Sequence, residues 1–142
     1  HSLVIPNTNY ISQSEADLIS VTKSGYWNEY EIKKTRSDFL NEMRAYNAEG
    51  GYSYAKHKKH DKIRKCLNDG KNTNKIPSKF WLVTPPNIVE KDELPDFWGH
   101  YIVDGRNVIK NVKGSRIHKE KVDIDFLHKV GVNLTKRYWD ML

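Results

Sequence analysis

The chain has 142 residues, 37% of them hydrophobic and 11% aromatic, enough for one α/β domain spanning residues 1–142 with a buried core and too few to expect two. No apolar run approaches the ~20 residues of a membrane span and the N-terminus carries no signal-peptide pattern, so a soluble, cytoplasmic protein without membrane contacts is expected. The single cysteine, Cys66, excludes an internal disulfide and a Cys-based zinc site, and a formal charge of +6 with a pI near 9.3 points toward acidic partners.

Residues 1–13 read as a strand followed by a loop, with Asn7 suited to a turn. Two β-rich runs follow, Glu15–Val21 and Tyr26–Lys33, separated by Lys23-Ser24-Gly25. A three-residue hairpin loop with Gly at its left-handed position pairs Thr22 with Tyr26 and, counting back, Asp17 with Glu31 and Glu15 with Lys33. A two-residue loop at Ser24-Gly25 would instead pair Asp17 with Ile32 and send the two carboxylates to opposite faces. The longer loop puts Glu15, Asp17, Glu29, Glu31 and Lys33 on one face, continued by Ile19, Val21 and Trp27. Ala16, Leu18, Ser20, Asn28, Tyr30 and Ile32 then share the other, a mainly apolar face suited to packing under a helix. Acidic residues are poor strand formers, and two placed directly opposite repel unless a cation or proton lies between them. The register therefore predicts a metal ion at Asp17 and Glu31.

Thr35-Arg36-Ser37-Asp38 is a capping box that opens a helix with the apolar stripe Phe39, Leu40, Met43 and Tyr46, ending at Gly50-Gly51. A second helix, about 52–68, carries Lys56, Lys58, Lys59, Lys62, Arg64 and Lys65 within ten positions. Such a run is either a solvated helix face or a phosphate-contacting surface. Residues 68–77 are polar and lysine-rich and read as a mobile loop. Phe80–Thr84 is a short buried strand stopped by Pro85-Pro86 and parallel to the Glu31 strand. His100–Val103 and Val108–Val112 form a hairpin about Asp104-Gly105-Arg106-Asn107. From about 123 to 142, Phe126, Leu127, Val130, Leu134, Tyr138 and Trp139 recur at helical spacing, interrupted at Gly131, as a docking face.

Asp17, followed on the next strand by Glu31-Ile32-Lys33, resembles the PD-(D/E)XK, or restriction-endonuclease-like, nuclease superfamily. An ordered series of segments resembles its small phage and bacterial members: Glu15–Val21, Glu31–Phe39, Lys59-His60, Phe80–Pro85 and Leu94–His100. The resemblance implies a restriction-endonuclease-like core, a mixed β-sheet whose hairpin carries the site, flanked by helices. It also implies acids that bind magnesium and a lysine that serves the attacking water. Many members have a helix before the Asp strand, where this chain reads as a strand, and Gln13 or Asn7 then offers polar contacts in place of a further acid.

Phosphodiester hydrolysis calls for a hard cation, magnesium first and manganese second, held by Asp17, Glu31 and the Ile32 carbonyl. Lys33 beside two carboxylates stays an ammonium and orients the water. Glu15 is a candidate for a second metal or a salt bridge to Lys33, and Glu29 shares the ambiguity. Lys34, Arg36, Lys56, Lys59 and His60 are the candidate phosphate contacts, although a helix-start salt bridge explains Arg36 as simply and a surface role explains His60. The leading expectation is a metal-dependent DNA endonuclease. A catalytically inactive nucleic-acid-binding module of the same fold and an unrelated α/β domain with surface charges stay open. Double-strand cleavage needs two active sites, which keeps a homodimer in view.

Overall fold

The turn at Lys23-Ser24-Gly25 sets the register of the N-terminal half. In the computed structural model, which describes residues 3–11, 14–47, 54–71, 73 and 76–141, Gly25 has φ 84°, a conformation that suits glycine. Thr22 N donates to Tyr26 O at 2.8 Å. Strand β2 (Ser14–Val21) then pairs antiparallel with β3 (Trp27–Ile32) through Val21–Trp27, Ser20–Asn28, Ile19–Glu29 and Leu18–Tyr30. This is the three-residue-loop register, and one further step places Asp17 opposite Glu31.

Strand β1 (Leu3–Ile11) runs antiparallel to β2, so a strand, not a helix, precedes the Asp17 strand. After β3 the chain crosses through α1 (Arg36–Asn47) and α2 (Tyr54–Asp69) to β4 (Lys79–Thr84), which is parallel to β3 as expected. Strand β5 (Gly99–Asp104) lies parallel to β4, and β6 (Asn107–Lys113) returns antiparallel through a turn at Gly105-Arg106. The six-stranded mixed sheet is therefore ordered β1 to β6 in chain order, and α3 (Ile124–Asp140) follows with Asp123 as its N-cap.

The cross-strand pairs Ile5–Ile19, Ile19–Glu29, Glu29–Phe80 and Leu82–His100 trace one face across the sheet. Phe39 of α1 and Ile63 and Cys66 of α2 cluster there with Phe80, Leu82 and Trp98. Phe126 and Val130 of α3 cover Ile5, Ile19, Val21 and Trp27, with Trp27 and Phe126 ring centroids 5.3 Å apart. Among the described residues all three α-helices thus lie against this one face.

The expectation that the Leu18, Ser20 and Tyr30 face packs under a helix is corrected accordingly. That face is polar at its centre, where Asn28 Nδ2 donates to Ser20 Oγ and Ser20 Oγ meets the Tyr30 hydroxyl at 3.1 Å. Such bonded polar groups are poor partners for an apolar helix stripe. Ala16 leaves its expected face and joins the cluster of Ile19. Asn7, at φ 46° and opposite Asp17 by the β1–β2 register, interrupts the alternation there.

On the open face Trp81 lies across Gly99, where an added Cβ would stand 2.1 Å from the indole Cε3. Gly99→Ala must displace the ring. A loss of about 1–3 kcal/mol is expected from such overpacking, read as a lower urea midpoint; an unchanged midpoint would mean that the indole moves at no cost.

Three other expectations change. The capping box is present, with Thr35 N donating to Asp38 Oδ2 and Asp38 N to Thr35 Oγ1, but Leu40 is exposed and the charged Glu42 is buried in the helix's inner face instead. The polar segment 68–77 is anchored at its C-terminal end, where Ile76 is buried in the core and its carbonyl accepts from His118 Nε2 at 2.6 Å. Helix α3 runs through Gly131 without a break. Of its apolar series only Phe126 and Val130 are buried, while Leu127, Leu134, Tyr138 and Trp139 are exposed.

Candidate active site

Glu31, Ile32 and Lys33 stand where β3 ends, beside the end of the parallel β4, and Lys33 N donates to Val83 O at 2.9 Å. The carboxyl ends of parallel strands are where open α/β sheets place their ligands. Asp17 arrives from β2, and its Oδ2 accepts from Ile32 N at 2.7 Å. Asp17, Glu31 and Lys33 therefore converge on one end of the hairpin.

Burial then separates the residues. Glu29, Glu31 and Lys33 alternate onto the helix-covered face, where Glu31 is 2% and Lys33 7% exposed. Ile32 points the other way and is 44% exposed. Helix α2 delivers Lys59, whose ammonium bonds Glu29 Oε1 at 2.9 Å and Glu31 Oε1. Lys33 Nζ bonds Glu31 Oε2 at 3.0 Å and Glu42 Oε2 at 2.9 Å, and Glu42 Oε1 lies 2.7 Å from His60 Nε2. A continuous buried network thus runs Glu29, Lys59, Glu31, Lys33, Glu42, His60.

Its proton inventory follows from burial and neighbours. Burial disfavours the ammonium of Lys33, but Glu31 and Glu42 outweigh it and raise the pKa above the ordinary lysine value. Lys59 is likewise opposed by burial and held charged by Glu29, Glu31 and Glu42. Burial also acts against the Glu42 carboxylate, yet the His60 hydrogen bond, Lys59 and Lys33 lower its pKa far below the usual range. Burial pushes the Glu29 carboxyl up, with Lys59 only partly offsetting it. His60 is held below its ordinary range by burial. A neutral imidazole facing a carboxylate donates from Nε2, leaving Nδ1 as a buried atom with no partner among the described residues.

Two sequence assignments are corrected by this geometry. Lys59 and His60, expected to contact phosphate, are 2% and 0% exposed and committed to carboxylates. The mutual repulsion expected between Asp17 and Glu31 is met in the structure by lysine ammoniums on Glu31 and a backbone donor on Asp17. Glu15 is exposed and pairs in the ladder with Asn9, while Lys33 turns to Glu31 and Glu42 rather than to Glu15. Arg36 forms a two-point ion pair with Glu93 and donates to Ile88 O at 2.9 Å, so the helix-start role accounts for it. Lys34 is exposed. The Lys56 side chain and Gln13 lie outside the described residues.

Glu42 was missed. Its signal is present in the sequence: an acid three residues after Phe39 and one before Met43 sits inside the apolar stripe, and a charge on a helix's buried face needs a partner.

A divalent ion suits this donor set in kind. Asp17, Glu31 and the Ile32 carbonyl are hard oxygen donors. Asp17, Glu29, Glu31 and Glu42 set four carboxyl groups against the two ammoniums of Lys33 and Lys59, and Glu29 Oε2 is buried without a partner among the described residues. Both oxygens of Glu31 already hold ammoniums, so an ion there replaces at least one of them. Among the described residues no three His, Cys, Asp or Glu side chains converge as a ready metal cluster.

His60 and His100 share a pH signature. His100 is fully buried between Thr84 Oγ1 and Asn111 Nδ2, and burial holds its pKa below 6.5. Unfolded chains take up protons on both imidazoles as pH falls through 6.5 while the folded chain does not, so stability should drop on acidification from about pH 7.5 to about 5.5. Glu42 adds a further loss below its ordinary value of 4.5. Glu29, with a raised pKa, pulls the other way, so Glu29→Gln should steepen the dependence. Urea midpoints at several pH values read this out, and a flat profile would contradict the neutral histidines.

The chain is similar in structure to SPO1766, a protein of unknown function from Silicibacter pomeroyi, with a TM-score of 0.60 and 12% identity over 98% of this chain and 78% of that one. Identity that low establishes the fold alone. No protein-family model and no curated protein matches the chain. No helix among the described residues is long and apolar enough to cross a membrane.

Proposed function

We propose that the chain is a magnesium-dependent DNA endonuclease with a restriction-endonuclease-like core, its hydrolytic centre at Asp17, Glu31 and Lys33. The hairpin register carries this reading. It sets Asp17 beside Glu31-Ile32-Lys33 at the carboxyl end of β3, the arrangement that the sequence resemblance requires. In this reading the chain works on DNA in a bacterial or phage-infected cytoplasm, and a second copy supplies the second site for double-strand cuts.

Magnesium, or manganese in its place, would be held by Asp17, Glu31 and the Ile32 carbonyl, and when bound it supplies an acidified water and charge stabilisation at the phosphoryl oxygens. The protein's own contribution is positional. Lys33, fixed as an ammonium between Glu31 and Glu42, has no lone pair with which to take a proton; it orients the attacking water and steadies charge developing on the phosphate. Glu42, fixed by His60, holds Lys33 at that angle. Lys59 neutralises Glu29 and Glu31 from behind and keeps a cluster of carboxylates from repelling the DNA backbone.

One observation favours the alternative, a catalytically inactive nucleic-acid-binding module of the same fold. Glu31 is paired at both oxygens by lysines, so its carboxylate is satisfied without a metal. Calorimetric titration with manganese separates the two. Binding of a divalent ion that Asp17→Asn removes is the expected result, and absence of binding, or binding indifferent to that substitution, contradicts the catalytic reading.

A further inference from the structure

We propose that the open face of the sheet around Trp81 binds a nucleobase with its flanking phosphate, as presented by a single strand of nucleic acid or by a free nucleotide. The site lies on the face opposite Glu31 and Lys33 and does not depend on the catalytic reading.

A pocket of about 160 Å³ opens on this face, with Tyr26, Asn28, Tyr30, Ser78, Trp81 and Tyr101 among its lining. Tyr30 and Trp81, neighbours on β3 and β4 that both line it, lie nearly parallel at 13° with centroids 6.4 Å apart and are 9% and 5% exposed. Tyr101 of β5 stands 4.6 Å from Trp81 and extends the aromatic surface. Gly99, beneath the indole, is what lets it lie flat. Aromatic platforms on a sheet face suit bases, because every base offers a π-face to stack.

The rim is cationic. Arg116 lies 4.3 Å over the Tyr26 ring, Lys79 is 5.5 Å from the Trp81 centroid, and Lys110 reaches both Trp81 and Tyr101 at 5.8 Å. The charges acting on Lys79 come from Arg116, Lys113 and Lys110, with no carboxylate among them, and together with burial they lower its pKa. Four like charges around an aromatic pocket fit a phosphate-bearing ligand. The lysines that cover the rings are long and flexible and can exchange a ring face for a phosphate.

A second observation points to a ligand. Ser78, one of the residues lining this pocket, is 1% exposed, and its Oγ is buried with no hydrogen-bond partner among the described residues. Buried hydroxyls are ordinarily paired. The edge of a base offers the donors and acceptors that this one lacks.

Fluorescence anisotropy of a labelled oligothymidylate of about a dozen nucleotides, measured in EDTA so that no strand is cut, tests the site. Binding should weaken as salt rises, and the surface double variant Lys110→Gln/Arg116→Gln should lower affinity roughly tenfold or more, whereas Lys91→Gln leaves it unchanged. The Trp81 indole resonance should shift on binding. Thymidine monophosphate that competes only weakly assigns the site to strands, and competition equal to that of the oligonucleotide assigns it to free nucleotides. Equal competition by a duplex of the same length, binding indifferent to the double variant, or no binding at low salt overturns the proposal. Binding is read in EDTA and at Lys110 and Arg116, which are apart from Asp17, Glu31 and Lys33, and this keeps the outcome separate from the fate of the catalytic reading.

Discussion

Lys59→Met should destabilise the fold by about 3–5 kcal/mol, the cost of leaving a buried charge without its partner. Lys59 is 2% exposed and bonds both Glu29 and Glu31. Glu31 would keep Lys33, but Glu29 would lose its ammonium at a depth where burial already raises its pKa. Stability lost at neutral pH should therefore return in part on acidification, as Glu29 accepts a proton. The same substitution placed in a Glu29→Gln background should cost much less, and urea denaturation of the four proteins in that cycle measures the difference. Equal losses in both backgrounds would mean that Lys59 acts through packing of its stem and not through its charge.

The second large effect is on chemistry. Lys33→Ala should lower DNA cleavage by about 10²–10³, the usual consequence of removing one preorganised donor from a hydrolytic centre. Glu31 retains Lys59 and Glu42 retains the His60 imidazole when Lys33 is removed, and urea denaturation of the variant separates its structural cost from the catalytic one. A fall in kcat with little change in KM is expected, since an oriented water matters to the reaction and not to DNA affinity. If affinity fell while kcat held, Lys33 would be a phosphate contact instead.

Much of this was legible in the sequence because the signals were local. Gly25 after Lys23-Ser24 suggested a three-residue loop whose register sets Asp17 opposite Glu31, although a two-residue loop pairing Asp17 with Ile32 stayed open until the structure showed the turn. Thr35 and Asp38 marked a helix start, and Pro85-Pro86 a strand end, for the same reason. What stayed hidden depended on which helix covers which face. Lys59 and His60 look like part of a basic surface when read along α2, yet the crossover turns that side of the helix onto β3, where Glu29 and Glu31 need cations. Trp81 reads as one more core aromatic, and it is buried at 5% exposure, but the placement of α1, α2 and α3 on the other face leaves Tyr101, Lys79 and Lys110 to cover it instead of a helix. Arg36 found Glu93 across 57 positions of sequence, a separation that no periodicity reveals.

The most direct test is cleavage of duplex, single-stranded and branched DNA at low salt in magnesium, manganese or EDTA, comparing the chain with Asp17→Asn and Lys33→Ala. Metal-dependent cutting that EDTA stops, Asp17→Asn abolishes and Lys33→Ala sharply reduces is the predicted result. Folded protein that cuts none of these substrates in either metal, or that cuts equally well after both substitutions, would contradict the assignment of the hairpin as a hydrolytic centre.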